Sequence, residues 1–449
     1  TIVALSTPPG RSGIGVVRLS GPHALGLVRK LLRKDHFAPE ANRVTLQTVL
    51  DPTTGAVLDH ALITYFQTPH SFTGEDVVEL SCHGSPVLLL QILDALLLLG
   101  ARAAERGEFT LRALAHGRIN LSQAEAIRDL IDARTQTAVR QAARQLEGEL
   151  STRLQPIKSA LLDIIVPLES SLEFVEDDLP EIRLTQISEQ LSRLIENLQE
   201  LASTFHSGRL LKEGLKVALV GRPNVGKSSV FNSLLKSDRA IVTDIPGTTR
   251  DSLSELINIQ GVPILLTDTA GLRASDDPIE AIGIERTRRA MVDADLIVLV
   301  LDGAEVLTAE DAELLAEARE NKYLIALNKN DLPSFTLSNV AGLNGAKVVT
   351  ISAKTGAGLN DFRAALLEPF MGSDVQEASF LITDARHYDL LRRTAEALRS
   401  SKQLVEAKAS EDLILVGLYD ALRALGEITG ETTPENVLSQ IFSTFCIGK

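Results

Sequence analysis

Residues 221–229 read Gly-Arg-Pro-Asn-Val-Gly-Lys-Ser-Ser, and this stretch decides the fold of the chain around it. Upstream, Leu215 to Val220 is a short apolar run with the length of a buried strand. Downstream, Lys227 to Lys236 has helical spacing, so the glycines lie between strand and helix. Gly221 and Gly226 let the backbone approach a phosphate, and amides at a helix N-terminus point at the anion. Asn224, Val225, Gly226, Lys227, Ser228 and Ser229 therefore form a predicted phosphate-binding loop. Lys227 supplies a point charge for the β- and γ-phosphates, and the Ser228 hydroxyl can ligate Mg²⁺.

Working outward, residues 213–370 alternate strand and helix patterns, with apolar runs at Leu215–Val220, Ile264–Thr267, Leu296–Leu301, Tyr323–Leu327 and Val348–Ile351. That alternation predicts a doubly wound α/β sheet. Residues 1 to about 118 read as α+β, with strands at Ile2–Leu5, Gly15–Leu19, Val44–Val49, Ala61–Phe66 and Val77–Ser81 and one or two helices, among them Pro86–Leu99. From Leu121 to Phe205 helical periodicity is nearly unbroken, and it returns from Asp384 to Leu425 before a last helix. The expected architecture is an N-terminal α+β domain (1–118), an all-α helical domain (119–212 plus 374–449), and an α/β phosphate-loop domain (213–373) inserted in the helical one. Insertion is physically easy because domain termini lie at the surface and often close together; two separate helical domains is the competing arrangement.

Bulk composition narrows the class. A length of 449 residues exceeds one ordinary core, and 44% hydrophobic with 23% charged residues is the balance of a soluble globular protein. Cys82 and Cys446 cannot build a disulfide framework, the opening residues carry no secretory signal, and Val87–Ala101 is too short to span a bilayer. A cytosolic protein without a membrane segment is expected. A net charge of −14 argues against wholesale wrapping of nucleic acid, although a local basic patch stays possible. Aromatics at 4% with no Trp advertise no base-stacking platform.

Further segments fall in the order of a GTPase. Asp268-Thr269-Ala270-Gly271 follows one predicted strand; Asp268 can hold Mg²⁺ through water, and the Gly271 amide can contact the γ-phosphate. Asn328-Lys329-Asn330-Asp331 follows another, and the Asp331 carboxylate can accept from guanine N1–H and N2–H, which adenine cannot offer. Ser352-Ala353-Lys354 follows the next and can support the base. Thr243-Asp244-Ile245-Pro246-Gly247-Thr248-Thr249-Arg250-Asp251 lies where a switch loop belongs, with Thr249 the candidate second hydroxyl on Mg²⁺. Leu272 stands where many small GTPases carry the glutamine that orients the attacking water. Another group must then handle that water; Arg273, Glu280 and Glu285 lie nearby, and a lone loop carboxylate otherwise reads as solvated.

Six segments stand apart from generic GTPase motifs: Thr7–Pro22 (TPPGRSGIGVVRLSGP), Phe72–Glu79 (FTGEDVVE), Gly107–Ala113 (GEFTLRA), Gln123–Ala126 (QAEA), Thr248–Asp251 (TTRD) and the tail Phe445-Cys-Ile-Gly-Lys449. Through them the whole chain resembles the tRNA-modification GTPase family known as MnmE or TrmE. The resemblance implies an N-terminal domain that binds a 5-formyl- or methylene-tetrahydrofolate and mediates homodimerisation, with Arg18, Glu79, Arg118 and Lys449 as folate contacts. It implies a potassium-activated GTPase in which Asn224, Thr243, Ile245 and Thr248 supply oxygens to K⁺, and Glu280 orients the water. It further implies an FAD-containing partner, MnmG or GidA. The pair installs an aminomethyl or carboxymethylaminomethyl group at carbon 5 of the tRNA wobble uridine. Lys227, Thr249 and Glu280 are the implied catalytic set. Cys446 is a candidate nucleophile in that tRNA chemistry, whereas a thiol near a terminus is more often a small hydrophobe or spare thiol. Cys82-His83 reads as a strand-end pair. A ribosome-assembly GTPase shares the nucleotide motifs but lacks the first 118 residues and the tail. A third reading makes the helical domain a scaffold, with catalysis wholly on the partner.

Overall fold

The computed structural model describes residues 1–173, 181–238, 254–269, 288–337, 346–370 and 380–448. They form two compact units. One comprises Thr1–Arg128, Gln145–Leu154 and Arg423–Lys449; the other comprises Asp129–Arg144 and Gln155–Leu422.

In the first unit a six-stranded sheet runs in the order β3-β4-β5-β2-β1-β6, antiparallel except for the β1–β6 pair. The strands are β1 (Ile2–Leu5), β2 (Ile14–Ser20), β3 (Val44–Leu50), β4 (Val57–Phe66), β5 (Val77–His83) and β6 (Arg102–Ala103). Period-two alternation makes them: along β4, Asp59, Ala61, Ile63 and Tyr65 are buried while His60 and Leu62 are exposed. Helices α1 (Ala24–Leu32) and α2 (Pro86–Leu98) supply Leu27, Val28, Leu31, Leu89, Ile92 and Leu96 to a core with Val17, Leu19, Ile63 and Leu80 of the sheet. Where the sequence suggests one or two helices, a third is present, α3 (Glu108–Ala115). It is only eight residues long and follows Gly107, whose φ is +66°. So short an element leaves little periodic signal. Helix α2 buries one face, but Val87, Leu90 and Leu98 on it are exposed, so its uniform hydropathy overstates its burial.

The second unit holds a six-stranded sheet in the order β12-β11-β10-β7-β9-β8. Its strands are β7 (Leu215–Val220), β8 (Ser254–Ile259), β9 (Val262–Asp268), β10 (Leu296–Asp302), β11 (Tyr323–Asn328) and β12 (Lys347–Thr350). All pairs are parallel except β8–β9. Every residue of β10 is buried, as a central strand covered on both faces requires. β8 has no place among the apolar runs of the sequence, because Ser254, Glu255 and Asn258 interrupt it as an edge strand permits.

The expected helical stretch after Leu121 is divided into α4 (Leu121–Asp132), α5 (Gln136–Leu146), α6 (Glu149–Glu173) and α7 (Glu181–Ser203), and α6 runs through Pro156 and Pro167. Helix α8 (Phe205–Glu213) leads into β7, and Ala385–Glu406 follows the α/β portion. Entry and exit are adjacent, as an insertion needs: the Ile382 amide donates to Thr204 Oγ1 at 3.0 Å, and Lys212 pairs with both Asp129 (2.8 Å) and Asp384 (3.2 Å). Among the described residues no helix is long and apolar enough to cross a membrane.

Candidate functional site

β7 lies between β10 and β9, where the winding of the sheet reverses, and its C-terminal end opens into the loop 221–226 and helix α9 (Lys227–Asp238). Two features there require special backbone. Asn224 has φ +65°, and Gly226 has φ +99° with its Cα so close to Asn328 that a Cβ would run into Asn328 Nδ2. The 5%-exposed Lys227 side chain donates Nζ to the carbonyls of Gly221 and Arg222, both at 2.7 Å. Its ammonium is thus stored over the loop. Ser228 and Ser229 are exposed on the first turn of α9, as are Pro223 and Asn224 on the loop.

The other motifs arrive at the same edge from the ends of parallel strands. Asp268 ends β9 buried, and Thr269 Oγ1 donates to Leu219 O at 2.8 Å, tying this strand end to β7. Asn328 ends β11 and joins two loops: its Nδ2 donates to Val225 O at 2.9 Å, and its Oδ1 accepts from the Ala353 amide at 3.1 Å. Ser233 of α9 also donates to Ala353 O, at 2.7 Å. Asp331 is exposed and accepts from Ser352 Oγ at 2.7 Å, a hydrogen bond that holds its carboxyl below the usual carboxylate range. Lys354 is exposed beside it in sequence.

The structure thus brings together Asn224, Val225, Gly226, Lys227, Ser228, Ser229, Asp268, Thr269, Asn328, Lys329, Asp331, Ser352, Ala353 and Lys354 along one edge of the sheet. Thr243, Asp244, Ile245, Pro246, Gly247, Thr248, Thr249, Ala270, Gly271, Glu280 and Lys449 lie outside the described residues. Two residues to which the sequence reading gave no role also belong here. Arg222 is bound to Asp311 (3.2 Å) and to Glu305, strapping the loop to the segment after β10. Asp302 ends β10 and pairs with Lys329. A polar residue closing an otherwise apolar strand is the signal that could have found Asp302.

Among the described residues no group of three or more His, Cys, Asp or Glu side chains could hold a metal alone. A divalent ion that takes one hydroxyl from Ser228 and the rest of its oxygens from phosphates and water still fits this donor set.

A second set sits in the first unit. Arg18 and Glu79 face each other across the β2–β5 register, with Arg18 Nε 2.8 Å from Glu79 Oε1. Arg18 Nη1 also donates to Gly448 O at 3.2 Å, and its guanidinium lies 5.8 Å from the Phe109 ring centroid. The tail is held by buried Phe445 against Phe442, by an antiparallel bridge between Ile447 and Arg106, and by Ser6 Oγ on Gly448 O at 3.3 Å. Gly448 has φ +91°, and a Cβ there would stand 2.5 Å from Leu5 O, so only glycine fits this seat. Arg118 is exposed, with its Cγ 3.5 Å from where a Gly74 Cβ would stand.

The thiols differ. Cys446 is exposed, whereas burial pushes the Cys82 thiol up to about 12, leaving it inert at neutral pH. His83 Nδ1 lies 2.7 Å from Asp59, so the Cys82-His83 pair is no dyad.

Comparison with known proteins covers the full length. Residues 1–118 match the model of the GTP-binding protein TrmE N-terminus, and residues 121–446 match that of the MnmE helical domain. The chain is 44% identical to the tRNA modification GTPase MnmE of Koribacter versatilis and 42% identical to that of Aquifex aeolicus, in each case over 100% of this chain and 99% of the relative. Among solved structures, the G domain of the T. maritima FeoB iron transporter is 29% identical over 34% of this chain and 97% of its own, with a TM-score of 0.26.

Proposed function

The chain belongs to the MnmE family of tRNA modification GTPases, and from that premise we propose that it is a potassium-activated GTPase acting on the tRNA wobble uridine with an FAD-containing MnmG or GidA partner. The pair installs an aminomethyl or carboxymethylaminomethyl group at carbon 5, drawing the carbon from tetrahydrofolate, in the cytoplasm and as a homodimer of this chain. The observation that carries the GTPase part is the convergence of Lys227, Asp268, Asn328 and Asp331 at one edge of the sheet, just past or at the ends of parallel strands β7, β9 and β11. Residues 1–118 carry the modification part, and they weigh against a ribosome-assembly switch.

In this reading GTP enters with its phosphates on the amides of 224–229. Lys227 leaves the carbonyls of Gly221 and Arg222 for the β- and γ-phosphates. Ser228 and Thr249 offer hydroxyls to Mg²⁺, and Asn224, Thr243, Ile245 and Thr248 offer oxygens to K⁺, which when bound supplies the positive charge of an arginine finger. Glu280 orients the attacking water, the role Leu272 cannot fill. Arg18, Glu79, Arg118 and Lys449 bind the folate. The domain assignments are 1–118 for folate and dimerisation, 213–373 for GTP, and 119–212 plus 374–449 for the helical domain. Cys446, exposed in the tail, stays a candidate nucleophile toward tRNA or a spare thiol.

Exchange of Na⁺ for K⁺ at constant ionic strength is expected to raise steady-state GTP hydrolysis at least about tenfold, in keeping with a preorganised charge at the leaving group. Equal rates in both salts remove potassium from the mechanism. For the folate site, tetrahydrofolate is expected to slow proteolysis of residues 1–118, and Arg18→Ala to abolish that protection. If the variant is protected like wild type, Arg18 serves only to seat the tail.

A further inference from the structure

β10 delivers one polar residue to the nucleotide edge. Its seven residues are all buried, and the last, Asp302, keeps only 4% of its side chain exposed. A carboxylate in that position needs partners, because a buried unpaired charge is costly. It has two. Oδ1 accepts from the Ala304 amide at 3.0 Å, and Oδ2 takes the Lys329 ammonium at 2.5 Å.

Lys329 is the second residue of the Asn-Lys-Asn-Asp segment, one residue from the loop-joining Asn328 and two from Asp331. Its backbone is unusual, with φ +68°, and the conformation is held on both sides: Gly303 N donates to Asn328 O at 2.9 Å, and Asn330 N donates to Ile351 O at 3.1 Å. The side chain is 32% exposed, and its ammonium end is pinned on Asp302. A free lysine stem samples many rotamers. Tethering its far end removes that freedom before any ligand arrives, which is preorganisation.

We propose that Asp302 is a positioning residue for the guanine nucleotide, acting through Lys329 by fixing the lysine stem as a wall beside the base. The inference rests on the guanine-nucleotide reading given above. Asp302 itself touches no ligand: it is buried behind Lys329. The β10 end thereby sets affinity for the base half of the nucleotide, while Lys227 serves the phosphate half.

The test is a double-mutant cycle on the full chain, read as Kd for a fluorescent GDP analogue. Asp302→Asn keeps size and the Ala304 hydrogen bond but loses the charge pair, and it should weaken GDP about tenfold, within the range measured for directly interacting residues. Lys329→Met should weaken it at least as much. The double variant should bind no more weakly than Lys329→Met alone, because Asp302 then has nothing to position. Additive losses, or an Asp302→Asn variant that binds like wild type, overturn the proposal. Should Asp302→Asn fail to fold, Asp302→Ser, which retains an acceptor for the Ala304 amide, goes through the same cycle. Wild-type protein that does not prefer GDP to ADP sinks the guanine reading itself; guanine preference with additive losses sinks only the role of Asp302.

Discussion

Asp331→Asn weakens GTP binding by about 10²- to 10³-fold, the range expected when a designed acceptor pair loses its match. In wild type the Asp331 carboxylate is steered by Ser352 Oγ at 2.7 Å, and Ser352 is itself fully buried and accepts from the Thr355 amide at 3.1 Å. The carboxyl group is therefore oriented before guanine arrives. Guanine presents two donors, N1–H and N2–H. An asparagine amide offers one acceptor and turns an N–H towards the other donor, so one hydrogen bond is lost and one contact becomes repulsive. Because the hydrogen bond from Ser352 lowers the carboxyl's pKa, the Asp331 contribution to GTP affinity should be flat with pH from neutrality down to roughly pH 5. It should fall only as Asp331 takes up a proton below that. Equilibrium titration with a fluorescent GTP analogue measures both effects; unaltered affinity in Asp331→Asn would remove guanine as the base.

Lys227→Ala has the second large effect, a fall in single-turnover GTP hydrolysis of about 10²- to 10³-fold, the loss typical of one preorganised electrostatic contact to a developing charge. The resting geometry explains why a neutral replacement cannot substitute. Lys227 is buried, and its ammonium satisfies two loop carbonyls at 2.7 Å. Truncation removes the only charge this side chain could carry to the phosphates, together with the two resting hydrogen bonds to Gly221 O and Arg222 O. Rapid-quench measurement at saturating GTP separates this from weaker binding. A variant that hydrolyses at the wild-type rate would show that the charge comes from elsewhere.

Much of the nucleotide site was legible because its constraints are local. Gly226 is required by a φ of +99° and by the nearness of Asn328, and each motif follows a strand whose apolar run is visible in the sequence. The α+β, helical and inserted α/β regions were legible for the same reason, since periods of two and 3.6 residues are local properties. What escaped is what local period does not encode. Edge strand β8 is interrupted by polar residues, α3 is too short to show a period, and one long helical signal concealed the breaks between α4, α5 and α6.

The sequence by itself determined the order of the modules, and it singled out residues 221–229 as the candidate phosphate loop and Asp331 as the candidate base-reading carboxylate. Only the tertiary structure decided who holds whom. Arg18 is bound to Glu79 and reaches Gly448, 430 positions away, while Asp302 grips Lys329 and Arg222 leans on Asp311. Such pairs follow from burial: a charge that folding removes from water must find a partner wherever the chain brings one. Sheet order supplies that partner, and neighbours along the sequence do not specify it.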